Sequence, residues 1–353
     1  MKNYFKSKFA KFHFINAIKK RIKVSNLEKK IILNLPWSKK KWYYEALKWV
    51  EDKLKLNREI IIDIEDHRFW ELSHTICFTT NKNNSYFFKA SDVSGVFANE
   101  ANIYSLIKKL TNNVVPELVS ADEVRGWILT KRVGKMDTES GSSYTNTGKL
   151  YKGLSSFHIR SLDYKDDIKL MKLPMKDLMW VLSTIKNLME FRKELKIKES
   201  VILRVDKLLP RVEKKIKNIT SIGMPNTLIH GDFHDCNIVY EADDYYWLDW
   251  ANVCVTFPLL DLRALYYKKI FSESDITNDL NSYFESWLPL VKSKDLTYCW
   301  DNIFSIIPLF NAAVYYQILE NKNFEPGSFQ GVVEGLLQEF IDVETGHLPL
   351  TIQ

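Results

Sequence analysis

Strand-like runs in the first half and helix-like segments in the second read as an α+β fold in a chain long enough for two lobes, and three observations bear on that reading. Its 353 residues are 46% hydrophobic and 13% aromatic, enough for two lobes with a sizeable core each, and no internal repeat or low-complexity segment interrupts them. Strand-like runs, Ile76 to Thr80, Ser85 to Ala90 and Gly126 to Gly134, lie in the first half. The second half carries a loop followed by a hairpin-like segment, and later a long uncharged stretch, Asn302 to Leu319.

Taken in order, residues 1–60 form a basic extension with 17 Lys and Arg against 5 Asp and Glu, a net of +12, while the remainder has 33 against 39, a net of −6. Phe5, Phe9, Phe12, Ile15, Ile18 and Ile22 recur in it at roughly helical spacing among lysines. Such an arm suits an anionic membrane surface, nucleic acid, its own acidic body or plain solvent; charge runs usually mark solvated faces, and no nucleic-acid partner is expected. After Pro36, the residues Trp42, Glu45, Ala46 and Trp49 mark an amphipathic helix with aromatics on one side, read as a cap on the small lobe. Residues 61–133 form that lobe. In it Lys89 ends an aromatic strand, where a lysine commonly snorkels at a sheet edge, and Glu100 opens a helical stretch where the helix dipole favours a carboxylate. Gly126 to Gly134 reads as a buried strand ending at a glycine turn. Residues 134–353 form the larger helical lobe, and Ser305, Pro308, Asn311 and Gln317 make Asn302 to Leu319 a buried helix rather than a membrane span.

The segment Leu228-Ile229-His230-Gly231-Asp232-Phe233-His234-Asp235-Cys236-Asn237, with Leu248-Asp249-Trp250 after it, carries the chemistry. Ile238-Val239-Tyr240 and Tyr245-Tyr246-Trp247-Leu248 are β-prone and Glu241-Ala242-Asp243-Asp244 between them is turn-like, so a short hairpin places Asn237 and Asp249 at one end. Phosphoryl transfer to a hydroxyl needs a carboxylate to orient that hydroxyl and take its proton, and hard oxygen ligands to hold Mg2+ against the phosphates. Asp232 suits the first task, Asn237 and Asp249 the second. An ordinary loop with surface Asp and Asn is the plain alternative. Zinc held by His230, His234, Cys236 and Cys254 is another, disfavoured because the Glu of a His-Glu-x-x-His motif is missing; His230 reads instead as a buried histidine that braces the loop.

These residues, with Pro258-Leu259-Leu260-Asp261-Leu262, resemble the aminoglycoside phosphotransferase and choline kinase-like family, which has the two-lobed protein-kinase-like fold, a small β-rich N-lobe and a larger mainly helical C-lobe. The resemblance implies an alcohol-group phosphotransferase that uses ATP or GTP with Mg2+. It makes Asp232 the base, Asn237 and Asp249 the metal ligands, and Lys89 the grip on the α- and β-phosphates, with Glu100 as its partner. Backbone groups near Lys131 and Val133 would meet the purine edge, and Leu154 to His158 would lie in the long helix behind the catalytic loop, where His158 is structural. Asp261 would brace that loop.

Two departures stand out. The phosphate-covering loop, placed near Trp70 to Thr75, has no glycine, so contacts there fall to Ser73 and Thr75 hydroxyls or to backbone amides. Trp250-Ala251 follows the metal-binding Asp where protein kinases have Phe-Gly, which points to a constitutively assembled site.

Four cysteines without a Cys-x-x-Cys pair, at 77, 236, 254 and 299, indicate a reducing compartment, and with no secretory signal evident the expected location is cytoplasmic. The acceptor is expected between the catalytic loop and the helices of residues 261–300, where Ser272 to Asp275, Asp279 and Glu285 supply acidic groups that suit an aminoglycoside-like molecule or equally a solvated face. An amino alcohol or a sugar fits the family as well. The expectation is thus a small-molecule kinase whose partners are a nucleotide and a small hydroxylated substrate. The rival is a catalytically silent kinase-like binding module attached through its basic arm; protein-kinase activity is disfavoured by the short segment from Asp249 to Asp261.

Overall fold

A computed structural model describes residues 35–69, 72–91, 97–112, 114–134, 147–191, 195–241, 244–271, 276–320 and 330–347. The basic arm before residue 35, Ser272 to Asp275 and the turn residues 242 and 243 therefore lie outside the described residues. The chain divides into two compact units, one built from residues up to 109 with 113–135 and 239–251, the other from 110–112, 136–238 and 252 onward.

The first unit is a five-stranded antiparallel sheet in the order β1-β2-β3-β5-β4, with β1 Ile61–Phe69, β2 Ser73–Thr80, β3 Ser85–Ser91, β4 Leu118–Asp122 and β5 Trp127–Lys131. Period-two alternation sorts its side chains. Ile76, Phe78, Phe88, Ala90, Trp127 and Leu129 point to one face and are buried in a single core. Helix α1 (Lys40–Lys55) covers that face with Trp42, Tyr43, Ala46, Leu47, Val50 and Leu54, which recur at three- and four-residue steps. The cap read from Trp42 and Ala46 is thus present, although a single turn of 3-10 helix occupies Pro36–Ser38 and the α-helix begins only at Lys40. Helix α2 (Glu100–Leu110) follows β3, opened by Asn99, whose side chain accepts from the Ala101 amide at 3.1 Å.

Glu59, just ahead of β1, is an interior anchor. Its carboxylate accepts from Thr80 Oγ1 at 2.5 Å, Tyr86 Oη at 2.9 Å and Asn84 Nδ2 at 3.0 Å. Burial works to raise its pKa, but these donors outweigh it and hold the carboxyl below its ordinary value.

The second unit is mainly helical: α3 Thr147–Ser161, α4 Lys165–Leu170, α5 Leu178–Glu190, α6 Glu199–Ser221, α7 Arg263–Phe271, α8 Thr277–Glu285, α9 Ser293–Ile303, α10 Ile306–Glu320 and α11 Gln330–Glu344. Two short strands, β6 (Thr227–Ile229) and β9 (Cys254–Thr256), pair antiparallel, and α3 packs on β6 with Ser161 Oγ accepting from the Leu228 amide at 3.0 Å. Strands β7 (Ile238–Glu241) and β8 (Asp244–Trp247), which from residue 239 on belong to the first unit, form the hairpin foreseen between Asn237 and Asp249, with Glu241 and Asp244 as strand ends rather than turn residues.

The stretch Asn302 to Leu319 is not one helix. Asn302 belongs to α9, and the chain bends by 58° before α10. Pro308 has no N–H to give Phe304 and its ring crowds that carbonyl, so the helix restarts at Ile306 with the proline in its first turn, where it is tolerated. Ile306, Ile307, Leu309, Phe310, Ala312, Ala313, Tyr316 and Ile318 of α10 are buried. Among the described residues no single helix is long and apolar enough to cross a membrane, although the bent α9–α10 pair passes on length and composition.

Glu59→Gln leaves one of the hydroxyl donors facing an amide N–H, with an expected loss of about 1–3 kcal/mol. Because the folded pKa of Glu59 is depressed, its contribution is present above the ordinary carboxylate pKa and fades as pH falls below it. Urea denaturation between neutral pH and pH 3 should therefore show the difference between the two proteins shrinking towards acid; a constant difference contradicts the account.

Candidate active site

Strand β3 runs through its core with Phe88 and Ala90 on the buried face, so Lys89 must project from the other. Thr75 and Ile128 stand directly beside it in register, on β2 and β5. An ammonium group with a side chain only 13% exposed requires compensating charge, and it has two carboxylates: Glu100 Oε2 at 2.5 Å and Asp249 Oδ1 at 2.6 Å. Burial tends to lower the pKa of Lys89, but Asp249 and Glu100 overcome that and hold it above its ordinary value.

Glu100 is itself held on both oxygens. Oε2 also accepts from Ser91 Oγ at 3.2 Å, and Oε1 accepts from the Trp250 amide at 2.8 Å. The residue after Asp249 is thereby tied to the first residue of α2, and the Ala98 amide donates to the Ala251 carbonyl at 2.9 Å. Trp250 is buried, its ring 6.0 Å from that of Trp247. Asp249 has φ +61°, the left-handed region that a non-glycine residue enters only when its surroundings impose it.

The second unit assembles the loop after β6. Asp261, almost fully buried in the 3-10 turn Pro258–Leu262, accepts from the His230 amide through Oδ2 at 2.6 Å and from the Gly231 amide through Oδ1 at 2.8 Å. Behind it, His158 Nε2 donates to Oδ2 at 3.1 Å, and the opposite ring nitrogen receives the Tyr283 hydroxyl at 2.8 Å. Asp261 therefore braces the loop as expected, and His158, expected to be structural, is buried behind it. His230 is fully buried and its Nδ1 accepts from the Asp232 amide at 3.3 Å, which fills the bracing role assigned to it. Gly231 has φ +81°, and a Cβ there would sit 2.2 Å from the Asn252 carbonyl oxygen, so glycine alone lets the loop pass so close to residue 252.

Asn237 Nδ2 donates to the Asp232 backbone oxygen at 2.9 Å and to Asp232 Oδ2 at 3.0 Å. With its nitrogen committed, the amide of Asn237 has its carbonyl oxygen left to act as ligand. His234 Nδ1 accepts from the Cys236 amide at 3.2 Å, which puts the ring proton on Nε2, 3.4 Å from Asp232 Oδ1. That carboxylate is the main reason the His234 pKa lies above its ordinary value.

Other expected residues fall as follows. Strand β2 begins at Ser73, three residues earlier than Ile76, because Ser73 and Thr75 pair with Ser91 and Lys89; both are strand residues, and Trp70 and Glu71 of the expected phosphate-covering loop lie outside the described residues. Lys131 ends β5 with its amide bonded to the Glu117 carbonyl at 2.8 Å, and Val133 follows two residues on. Asp279 and Glu285 meet partners within the second unit: Asp279 accepts from Thr147 Oγ1 at 2.5 Å, and Glu285 pairs with Lys152 at 3.0 Å. The sequence reading missed Arg263. The signal was its place two residues after Asp261: a residue that grips the loop after β6 carries its helical neighbours to that loop as well.

The model of the phosphotransferase enzyme family (APH) matches residues 72–290, and the chain belongs to that family. No curated protein matches it. Among solved structures it is similar to the macrolide 2'-phosphotransferase MphH from Brachybacterium faecium (13% identity, TM-score 0.54, covering 83% of this chain and 98% of that one). It is similar also to the choline kinase LicA from Streptococcus pneumoniae (14%, 0.54, 85% and 98%) and to APH(2")-IIia in its GDP and kanamycin complex (12%, 0.54, 85% and 98%). At these identities the likeness concerns the fold, and the fold is kinase-like, with a small antiparallel sheet and a mostly helical C-terminal part. The protein is a phosphotransferase, with its Lys89–Glu100–Asp249 cluster in the first unit and its Asp232–Asn237 loop in the second.

Asp261→Asn keeps the shape but exchanges one acceptor oxygen for an N–H donor that faces backbone amides or His158. We expect a stability loss of about 1–3 kcal/mol together with faster hydrogen exchange at the His230 and Gly231 amides. Unchanged exchange there would remove Asp261 from its bracing role.

Proposed function

We propose that the protein is a small-molecule kinase that moves the γ-phosphoryl group of ATP or GTP to a hydroxyl of its acceptor. The observation that supports this most directly is the ammonium of Lys89 held between Glu100 and Asp249, a charge cluster that anchors phosphates once a nucleotide competes for the lysine. Asp232 is the base. Its Oδ2 is fixed by Asn237, its Oδ1 faces His234, and a hydroxyl set against this carboxylate is aligned and can give up its proton. Asn237 and Asp249 offer one neutral amide oxygen and one carboxylate, a hard and weakly charged donor set that fits Mg2+. The ion, when bound, neutralises charge on the β- and γ-phosphate oxygens. Thr75, beside Lys89 on the same face of the sheet, and Ser73 are the hydroxyls assigned to phosphate, while backbone groups at Lys131 and Val133 are assigned to the purine edge. Because the Lys131 amide already serves Glu117, that edge falls mainly to its carbonyl and to Val133.

Calorimetric titration of ATP and GTP, with and without Mg2+, tests the site. Asp249→Ala should lose the metal-dependent part of binding; retention of normal Mg2+ dependence counts against Asp249 as a ligand. Asp232→Asn should lower kcat by about 10²–10⁴-fold while nucleotide affinity stays near that of the wild type. Unchanged turnover in that variant removes Asp232 as base. If neither nucleotide binds the wild type, the silent binding module is the better description.

A further inference from the structure

Arg263 opens α7, two residues after the aspartate that grips the His230 and Gly231 amides. Its Nε and Nη2 both donate to one oxygen, the Tyr267 hydroxyl, at 3.1 and 3.0 Å. Tyr267 in turn donates to Glu339 Oε1 of α11 at 2.8 Å. A guanidinium has five N–H groups, so this arrangement leaves most of the fork, Nη1 included, without a hydrogen bond among the described residues. The tyrosine holds the head group in place without neutralising it, and Glu339 compensates its charge only at one remove.

The fork lies within electrostatic reach of the reacting centre: the charge of Asp232 acts on Arg263, and that of Arg263 acts on His234. Burial opposes the charge on Arg263, but Tyr267, Glu339 and Asp232 sustain it above its ordinary pKa. Tyr266, three residues on from Arg263, is fully buried with a hydroxyl that has no hydrogen-bond partner among the described residues, and Glu339 is felt there too. A cation with unused planar donors within electrostatic reach of the base is matched by a planar or tetrahedral group of anionic oxygens, which takes two parallel N–H bonds.

On the reading of Asp232 as base, we infer that Arg263 is an acceptor-binding residue, and that the acceptor carries a carboxylate or phosphate ester close to the hydroxyl that is phosphorylated. This narrows the acceptor from amino alcohols, sugars and aminoglycosides to hydroxylated anions. It also accounts for Asp279 and Glu285, the acidic residues expected to draw in a cation, being engaged with Thr147, Lys268 and Lys152.

The test is turnover with Mg2+-ATP on acceptors matched in shape and different in charge. Glycerol, glycerate, glycerol 3-phosphate and ethanolamine form one set; glucose, glucuronate, glucose 6-phosphate and glucosamine form the other, with kanamycin added. Wild type should use the anionic members. Arg263→Gln should raise KM for them about ten- to hundredfold with a smaller change in kcat, and Arg263→Lys should recover part of that loss. ATP affinity, measured separately in each variant, reports whether the variant is folded and whether the kinase reading itself stands. Preference for neutral or cationic members overturns the inference, as does binding of Mg2+-ATP with no anionic member used. A fall in kcat at constant KM overturns it too, since the guanidinium would then serve the phosphoryl group in flight.

Discussion

One mostly buried ammonium governs the first unit. Lys89 cannot stay charged off a sheet packed by Phe88 and Trp127 unless acids come to it, and the two that come arrive from a helix start and from the end of a hairpin. Their arrival settles more than charge. Glu100 must begin α2 where it can reach both the lysine and the Trp250 amide, and Asp249 must take a left-handed backbone to present its carboxylate. Three elements distant in sequence are thus fixed by one cation.

The second unit solves a similar problem with a buried anion. Asp261 is surrounded by donors: two backbone amides of the loop after β6 and the ring of His158. Here the benefit goes to the backbone rather than to a side chain. A loop that turns through Gly231 has amides with no strand to pair with, and a buried carboxylate satisfies two of them together. Asp232 and Asn237 can then be held by short local bonds, because the backbone that carries them is already fixed.

The parts of this organisation legible in the sequence were those encoded locally. Asp232 and Asn237 are five residues apart, and the hairpin between Asn237 and Asp249 follows from β-prone runs on either side of a turn. The aromatic helix after Pro36 announced itself by spacing, and the core it covers is where that spacing pointed. What could not be read was non-local. The start of β2 at Ser73 depends on pairing with Ser91 on β3, which no property of Ser-His-Thr discloses. The break before Ile306 was available in principle from Pro308, but apolar continuity masked it. Arg263 was overlooked because its importance comes from the company of Tyr267, Glu339 and Asp232, residues spread over about a hundred positions of chain.

The distance between Lys89 and Asp249 also has a temporal side. They are 160 residues apart in sequence, and the segment 239–251, which carries most of the β7–β8 hairpin and completes the first unit, is made after four of the nine described α-helices of the second unit have been started. At about 5–20 residues per second, a ribosome needs roughly ten to thirty seconds to supply the second carboxylate after the lysine. During synthesis the sheet therefore waits, with its ammonium paired at most to Glu100, until the chain has passed residue 251. The N-terminal half of this protein is not an independently finished folding unit, and its biogenesis depends on a late segment returning to it.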